Sequence, residues 1–396
     1  SSSYASLPTN SSENSHPTAM RRIASHLALL PTGIIDRPLL TLDGRRIVSI
    51  GRYGDGELDR MEGIEFYAGI LIPGMVDAHC HLELSYLRGA IAPGGGFAAF
   101  AAGMARERGR FSDVERFEAM RRADRELWEG GIDAVGDIAN GGTSFAVKAA
   151  SRIRYRTFAE VFGLRTASTE QAAALLGNPA TSATPHSTYS LQDDIFKSIC
   201  RDGNPAPLSI HFMETPAEQE LYDGHGALHD WYLTQGFECD FLHYGSPAER
   251  VAASVPRDRS VLLVHCCCVG QRDIDIIMEH FTAPVYWVLC PRSNGYISGL
   301  APDTGLLRRN GLNVCVGTDS LASNSSLSML DEMKALGDVP LDELLTWATR
   351  NGAAALGMGD SLGSIEEGRE CGLCAISGID YANMRLTEAS RLQRIA

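Results

Sequence analysis

Asp77-Ala78-His79-Cys80-His81 places two histidines two residues apart, directly after the apolar run Ile70 to Val76. Side chains alternate along a strand, so imidazoles at i and i+2 share a face and can reach one metal ion at about 2.0–2.1 Å. By itself such a pair is equally compatible with two hydrogen-bonded structural histidines. His211 closes a second run, Leu208-Ser209-Ile210, and Glu214 follows three positions later. A lone strand-end histidine is ordinarily a satisfied core side chain. A carboxylate in the adjoining loop makes the two a ligand plus an acid/base group. His265 ends Val261 to Val264, and Asp319 follows Val314-Cys315-Val316 within Gly317-Thr318-Asp319-Ser320. A carboxylate after so apolar a strand is costly unless it is paired or bound to metal. His186 likewise closes Ala183-Thr184-Pro185. Scattered core histidines would not gather at the ends of strands, so the pattern points to a metal centre with a proton-transfer group beside it.

The elements that must position these residues alternate. Strands are expected at 75–79, 134–138, 157–161, 183–186, 208–211, 261–265, 285–289 and 312–316, with helices between them at 113–128, 169–176, 191–200 and 218–222. Eight strands alternating with helices between residues 73 and 359 read as an α/β fold, a (β/α)8 TIM barrel, whose active sites lie at the C-terminal ends of the strands. Residues 20–72 carry short strand-like pieces at 23–30, 39–42 and 47–50, with the turn Asp43-Gly44 between the last two. The tail offers similar pieces at 363–367, 374–376 and from Leu386 onward. Neither end can close a core alone, so residues 20–72 and 360–396 are expected to meet in one small composite β-domain, a β-sandwich. Residues 1–19 are polar and Ser/Asn-rich, and Met20 looks like a natural start; they read as a leader or an expression scar.

Composition narrows the partners. The formal net charge of −14 argues against nucleic acid, whose phosphates would be repelled over most of the surface. No stretch reaches the roughly 18 apolar residues of a membrane helix. The 10 cysteines include the consecutive Cys266, Cys267 and Cys268 and several inside apolar runs, which fits buried free thiols in a reducing, cytoplasmic setting better than disulfides. Cys371 and Cys374 form one isolated CxxC. His225 and His229 sit four apart on a possible helix, without a further ligand nearby, and read as part of an active-site loop or an interface.

Taken together, His79 and His81, His211 with Glu214, His265, and Gly317 to Ser320 resemble the amidohydrolase superfamily over residues 20–396. Binuclear members bridge their metals with a carboxylated lysine on the fourth barrel strand. Only Lys148, Lys197 and Lys334 occur here, and none falls there. The resemblance therefore implies the mononuclear deaminase and chlorohydrolase branch, with His79, His81, His211 and Asp319 holding one zinc ion per chain, or Fe2+ in its place. Zinc lowers the pKa of a coordinated water to about 7. On this reading Asp319 accepts a proton, Glu214 protonates a ring nitrogen of the substrate, and His265 orients the nucleophile or stabilises the developing oxygen charge.

The segment His79-Cys80-His81-Leu82-Glu83-Leu84-Ser85, with Leu87-Arg88-Gly89, looks like that of the aminofutalosine deaminases of an alternative menaquinone route. These are similar to deaminases of S-adenosylhomocysteine and methylthioadenosine. The implied reaction is zinc-dependent hydrolytic deamination of an aminopurine nucleoside such as 6-amino-6-deoxyfutalosine. Glu83 could then accept from sugar hydroxyls or the base, or be a salt-bridged loop carboxylate. His186 resembles the branch's substrate-facing histidine. Asn294, in Cys290-Pro291-Arg292-Ser293-Asn294, matches a loop of related deaminases, or simply braces its own loop. The benzoate-like carboxylate of aminofutalosine wants a cation, for which Arg88, Arg165 and Arg292 are conceivable. Rival readings are a guanine, triazine or chlorinated-ring hydrolase of the same branch and, from another class, a metal-free binding barrel. A homodimer is compatible with the family.

Overall fold

The computed structural model describes residues 19–396. The leader expected over 1–19 lies, but for Ala19, outside the described residues. Chain order begins with β1 (Arg21–Leu30), β2 (Gly33–Asp36), β3 (Pro38–Asp43), β4 (Arg46–Arg52) and β5 (Ile64–Ile72). It continues through β6 (Met75–Cys80), β7 (Ile132–Ala139), β8 (Arg154–Val161), β9 (Thr181–Pro185) and β10 (Leu208–Phe212). The last five are β11 (Val261–His265), β12 (Val285–Leu289), β13 (Asn313–Val316), β14 (Cys374–Ser377) and β15 (Arg391–Arg394).

Strands β6 to β9 form one four-stranded parallel sheet and β10 to β13 another. Helices separate successive strands, as parallel pairing requires. Two short parallel bridges link the sheets, Ser187 with His211 between β9 and β10, and Cys80 with Asp319 between β6 and the segment after β13. The strands are buried on both faces, which their near-continuous apolar runs anticipate. Alternation then divides the core in two. On β12, Val285, Trp287 and Leu289 belong to the large cluster beneath the helices, whereas Tyr286 and Val288 join Phe158, Leu262, Val264 and Cys315 on the opposite face.

Both ends of the chain meet in one seven-stranded sheet of order β15-β14-β5-β1-β3-β4, with β2 on β1. Gly69 allows β14 to approach β5, since a Cβ there would lie 1.8 Å from the Ile376 carbonyl oxygen. Asp133 at the start of β7 fastens this sheet to the parallel strands, accepting from Arg45 at 2.6 Å and Arg394 at 2.7 Å. Residues 363–367 are irregular, not a strand, with Gly363 at φ +85° at their start and Gly368 at φ +87° just beyond their end. The expected pair on one helix is also broken. Gly224 and Gly226 stand at positive φ, the helix begins at Ala227, and His225 lies outside it while His229 lies within.

One buried acid makes the fold sensitive to pH. Glu332, on the helix Met329–Ala335, accepts from the Asn324 side chain at 2.7 Å and from the Arg292 backbone N–H at 3.0 Å. Burial pushes its carboxyl up to about 8, against the opposing pull of those hydrogen bonds. In an unfolded chain a glutamate titrates near ~4.3. The folded state therefore keeps a proton that the unfolded state has released, and the associated stability is complete below ~4.3 and lost as pH rises through about 8. Between pH 6 and 9 the parent chain should lose about 3 kcal/mol more than Glu332→Gln. Urea midpoints at the two pH values measure this, and parallel losses in both proteins would refute it.

Candidate active site

Five strand ends converge on one cavity of about 550 Å³. His79 lies on β6 with His81 just beyond it, His211 lies on β10, and His265 ends β11. Asp319 follows β13 and His186 follows β9. Backbone hydrogen bonds set the registers. The Asp319 N–H donates to the His79 carbonyl at 2.9 Å, and the His81 N–H donates back to the Asp319 carbonyl at 2.7 Å. Gly317 is needed for this approach, because a Cβ would sit 2.9–3.0 Å from His79 atoms. His211 N–H donates to the His186 carbonyl at 2.9 Å.

Met213, His265, Cys266 and Asp319 all hold φ between 49° and 85°. Left-handed backbone at a non-glycine costs on the order of 1–3 kcal/mol per residue and persists only where surrounding structure enforces it. These four residues flank the strand ends that carry the site, where the chain turns away from the strand direction; His265 and Asp319 face the cavity, while Met213 and Cys266 pack in the cluster beneath the helices.

The His79, His211, His265 and Asp319 ligand atoms lie within 4.8 Å of one another. His81 Nε2 is 3.1 Å from His79 Nε2, and both nitrogens are 3.3 Å from Asp319 Oδ1. Bonds of about 2.0 Å in a tetrahedral set would put neighbouring ligand atoms ~3.3 Å apart, so these three match one cation. Burial lowers the pKa of His79, pulls His81 down to about 3 and holds His211 well below the usual imidazole range. Neutral imidazoles offer the lone pairs a metal requires. Burial alone would raise Asp319, but the hydrogen bond to His79 and the neighbouring imidazoles keep its carboxyl well below the ordinary value. Its other oxygen accepts from Ser293 at 2.5 Å and Ser323 at 3.2 Å. His211 directs Nδ1 at the His186 carbonyl, 2.8 Å away, leaving Nε2 for the site. The donor set fits a metal ion.

Glu214 Oε2 stands 3.7 Å from His265 Nε2. Burial raises the Glu214 carboxyl, with His265 opposing and Asp319 adding to the rise. A carboxylic acid whose pKa is raised is better placed to deliver a proton to a bound ring. The arrangement can therefore activate a nucleophile on one side of a ligand and protonate the ligand from the other.

Residues 70–390 match the amidohydrolase family. The chain belongs to that family. A 5-methylthioadenosine/S-adenosylhomocysteine deaminase of Teredinibacter turnerae is 30% identical over 208 residues, covering 48% of this amidohydrolase and 42% of the relative. The chain thus spans less than half the length of that relative. An adenosine deaminase of Helicobacter pylori is 28% identical over 356 residues, covering 83% of this chain and 84% of its own. Among solved structures, the Helicobacter pylori aminofutalosine deaminase in complex with methylthio-coformycin superposes with a TM-score of 0.74 at 26% identity, covering 90% of this chain and 92% of that one.

The amidohydrolase cavity does not take in every residue expected of it. Arg88 is half-exposed and pairs with Glu126, whose second oxygen accepts from the Leu327 N–H. Arg165 bonds the Gln235 carbonyl, and Arg292 bonds Ser325 and Ser326. Glu83 receives the N–H groups of Asn140 and Gly141 at 3.0 Å each, so it braces the loop after β7. Asn294 is fully buried, with Oδ1 3.4 Å from His265 Nδ1, and acts on the cavity through that ring. His186 does line the cavity; burial lowers it to about 4, and its Nδ1 meets Ser187 and Ser190. No lysine lines it: Lys148 is bound to Asp137 at 2.6 Å and Lys197 to Asp193 at 2.9 Å. Burial pushes the Cys266 thiol well up, which keeps it inert beside His265.

Other members of the site went unassigned from the sequence. Glu160 on β8 shares the strand face of Phe158, lines the cavity, and is pushed up to about 8 by burial. A lone carboxylate inside Thr157-Phe158-Ala159-Glu160-Val161 was its available signal. Ser293 adjoins Asn294 in the Cys290–Asn294 segment, whereas nothing in the sequence around Ser323 marks it. Asp77 accepts from the Thr318 N–H at 3.0 Å and from its hydroxyl, pinning the segment that presents Asp319.

Metal content separates the ligands from their neighbours. His81→Ala, His211→Ala and Asp319→Ala should each bind metal at least about 10- to 100-fold more weakly. His265→Ala should retain it, as measured by elemental analysis after dialysis against a competing chelator. Equal loss from His265→Ala and His81→Ala would make His265 a ligand.

Proposed function

We propose that this amidohydrolase is a hydrolytic deaminase of an aminopurine nucleoside, with 6-amino-6-deoxyfutalosine as its substrate and menaquinone synthesis as its context. The observation that carries the reading is Glu214 beside His265 within the same buried cavity as the His79, His81, His211 and Asp319 cluster. A hydrolytic ring deaminase needs an activated water and a separate acid for the ring nitrogen, and this cavity holds groups for both. The relatives named above support the nucleoside class, and the similarity to an aminofutalosine deaminase over most of both chains supports the particular substrate.

His79, His81, His211 and Asp319 would hold one zinc ion, which when bound makes a water nucleophilic at neutral pH. Asp319, ionised and held by Ser293 and Ser323, takes the proton that water loses. Glu214 donates its proton to the ring nitrogen next to the attacked carbon, which draws electron density from that carbon. His265, oriented by Asn294, stabilises the oxygen that becomes negative. A proton then passes to the exocyclic amine and ammonia leaves. The scaffold implied is a (β/α)8 barrel over residues 73–359, supported by the two bridges between the parallel sheets, with a composite β-domain of residues 20–72 and 360–396.

Ammonia release is the direct test. The zinc-loaded protein is assayed with aminofutalosine, S-adenosylhomocysteine, methylthioadenosine, adenosine and guanine. Highest kcat/KM on aminofutalosine is expected. Preference for another nucleoside would keep the chemistry and discard that substrate, and no ammonia from any would overturn the deaminase reading. Glu214→Gln should lose about 10²- to 10⁴-fold in kcat while keeping its metal. Unchanged kcat in that variant would remove Glu214 from proton transfer.

A further inference from the structure

A second cavity, of about 410 Å³, lies at the opposite ends of the parallel strands from the imidazole cluster. It opens beside Asp133 and Arg154, at the starts of β7 and β8, whereas the histidines and Asp319 stand where strands finish. Arg45 and Arg46, in the turn between β3 and β4, form one wall with Arg369 from the stretch before β14. Arg152 and Arg154 form the other. The cavity therefore sits where the terminal sheet meets the parallel strands, and five arginines line it in a chain of net charge −14.

Three carboxylates share the lining and do not balance them. Asp133 is buried and already taken, by Arg45 at 2.6 Å and by Arg394 at 2.7 Å. Glu370 faces Arg46 at 3.3 Å, and Arg369 pairs with Glu366, which does not line the cavity. Arg154 and Arg152 have no carboxylate partner among the described residues. The first donates to the Ser361 hydroxyl at 2.6 Å, and the second lies over the Trp128 ring, 5.7 Å from its centre. The third carboxylate, Asp360, has no ion pair among the described residues and would oppose an anion, so two guanidinium groups stand against one acid.

Two observations show that the positive field is left open. The Arg45 Nε–H is buried without a hydrogen-bond partner, which is costly for a charged donor. Arg156, two residues along β8 from Arg154, is held below the usual guanidinium range by burial and then by the Arg154 charge. Guanidinium forks converging from two walls match the oxygens of phosphoryl groups.

We propose that this cavity binds a small molecule bearing a diphosphate group, held by Arg152 and Arg154 from the parallel strands and by the Arg45 Nε–H from the terminal sheet. A ligand gripping both walls ties the two ends of the chain to the parallel strands and stabilises the fold in proportion to its occupancy. The site shares no residue with the catalytic cavity and is independent of the deaminase reading.

Inorganic pyrophosphate is the probe. Calorimetry with the metal-loaded full chain should show one saturable site per chain, weakening as salt is added. Arg152→Gln/Arg154→Gln should bind at least about 10-fold more weakly. Arg152→Lys/Arg154→Lys should recover part of this, because the charge returns without the planar fork. Pyrophosphate should raise the Tm of the parent and leave that of the glutamine variant in place. Without pyrophosphate both variants should melt with the parent and keep its metal, since the two side chains are exposed and distant from the ligand cluster. No saturable binding to the parent would overturn the proposal. So would equal affinity in the glutamine variant, because pyrophosphate would then be held at the metal or elsewhere. Tighter binding of citrate than of pyrophosphate would overturn the phosphoryl assignment.

Discussion

Asp319 is the point on which the structure turns. Its backbone exchanges hydrogen bonds with His79 and His81, which joins the segment after the last parallel strand to the end of the first. Its side chain is buried yet ionised, a state that costs several kcal/mol unless opposite or hydrogen-bonding groups surround it. Two imidazoles face one oxygen and two serine hydroxyls serve the other. The same residue thus joins the two parallel sheets and supplies the negative charge that a cation would need.

Much of the surrounding polar structure serves that placement. Asp77 holds Thr318, and burial pushes the Asp77 carboxyl up to about 7 against those hydrogen bonds. Asn324 spans from the Thr318 carbonyl to Glu332, which in turn caps the helix bearing Ser293 and Asn294. Left-handed backbone at Met213, His265, Cys266 and Asp319 needs this enforcement. Strands packed on both faces supply it, since a slip of one residue would turn each apolar side chain toward the wrong cluster.

What was legible in the sequence follows from how local each constraint is. A strand buried on both faces writes a continuous apolar run, so Val261–His265 and Val285–Leu289 were expected with the bounds they have. The histidines and Asp319 were visible because polar residues at the ends of such runs need a reason. Contacts between distant segments leave no such mark. Ser323 meeting Asp319, Arg88 turning to Glu126, and the two N–H groups closing on Glu83 all depend on tertiary geometry. The segment 363–367 is irregular where a strand was expected, with left-handed glycines at its start, Gly363, and just past its end, Gly368.

The same distinction separates reaction from substrate. The reacting groups sit on strand ends, where period and position constrain them tightly. The apolar walls of the cavity come from short helices after β6 and β10, joined through glycines at positive φ such as Gly94, Gly96, Gly224 and Gly226. Such segments can change length and side chains without disturbing a strand. Arg108 illustrates the consequence. In the sequence it is one of three arginines around Glu107, and only the fold shows two of them occupied and the third turned toward the cavity. If the proposed reading holds, the choice among related nucleosides falls to residues whose meaning exists only after the chain has folded.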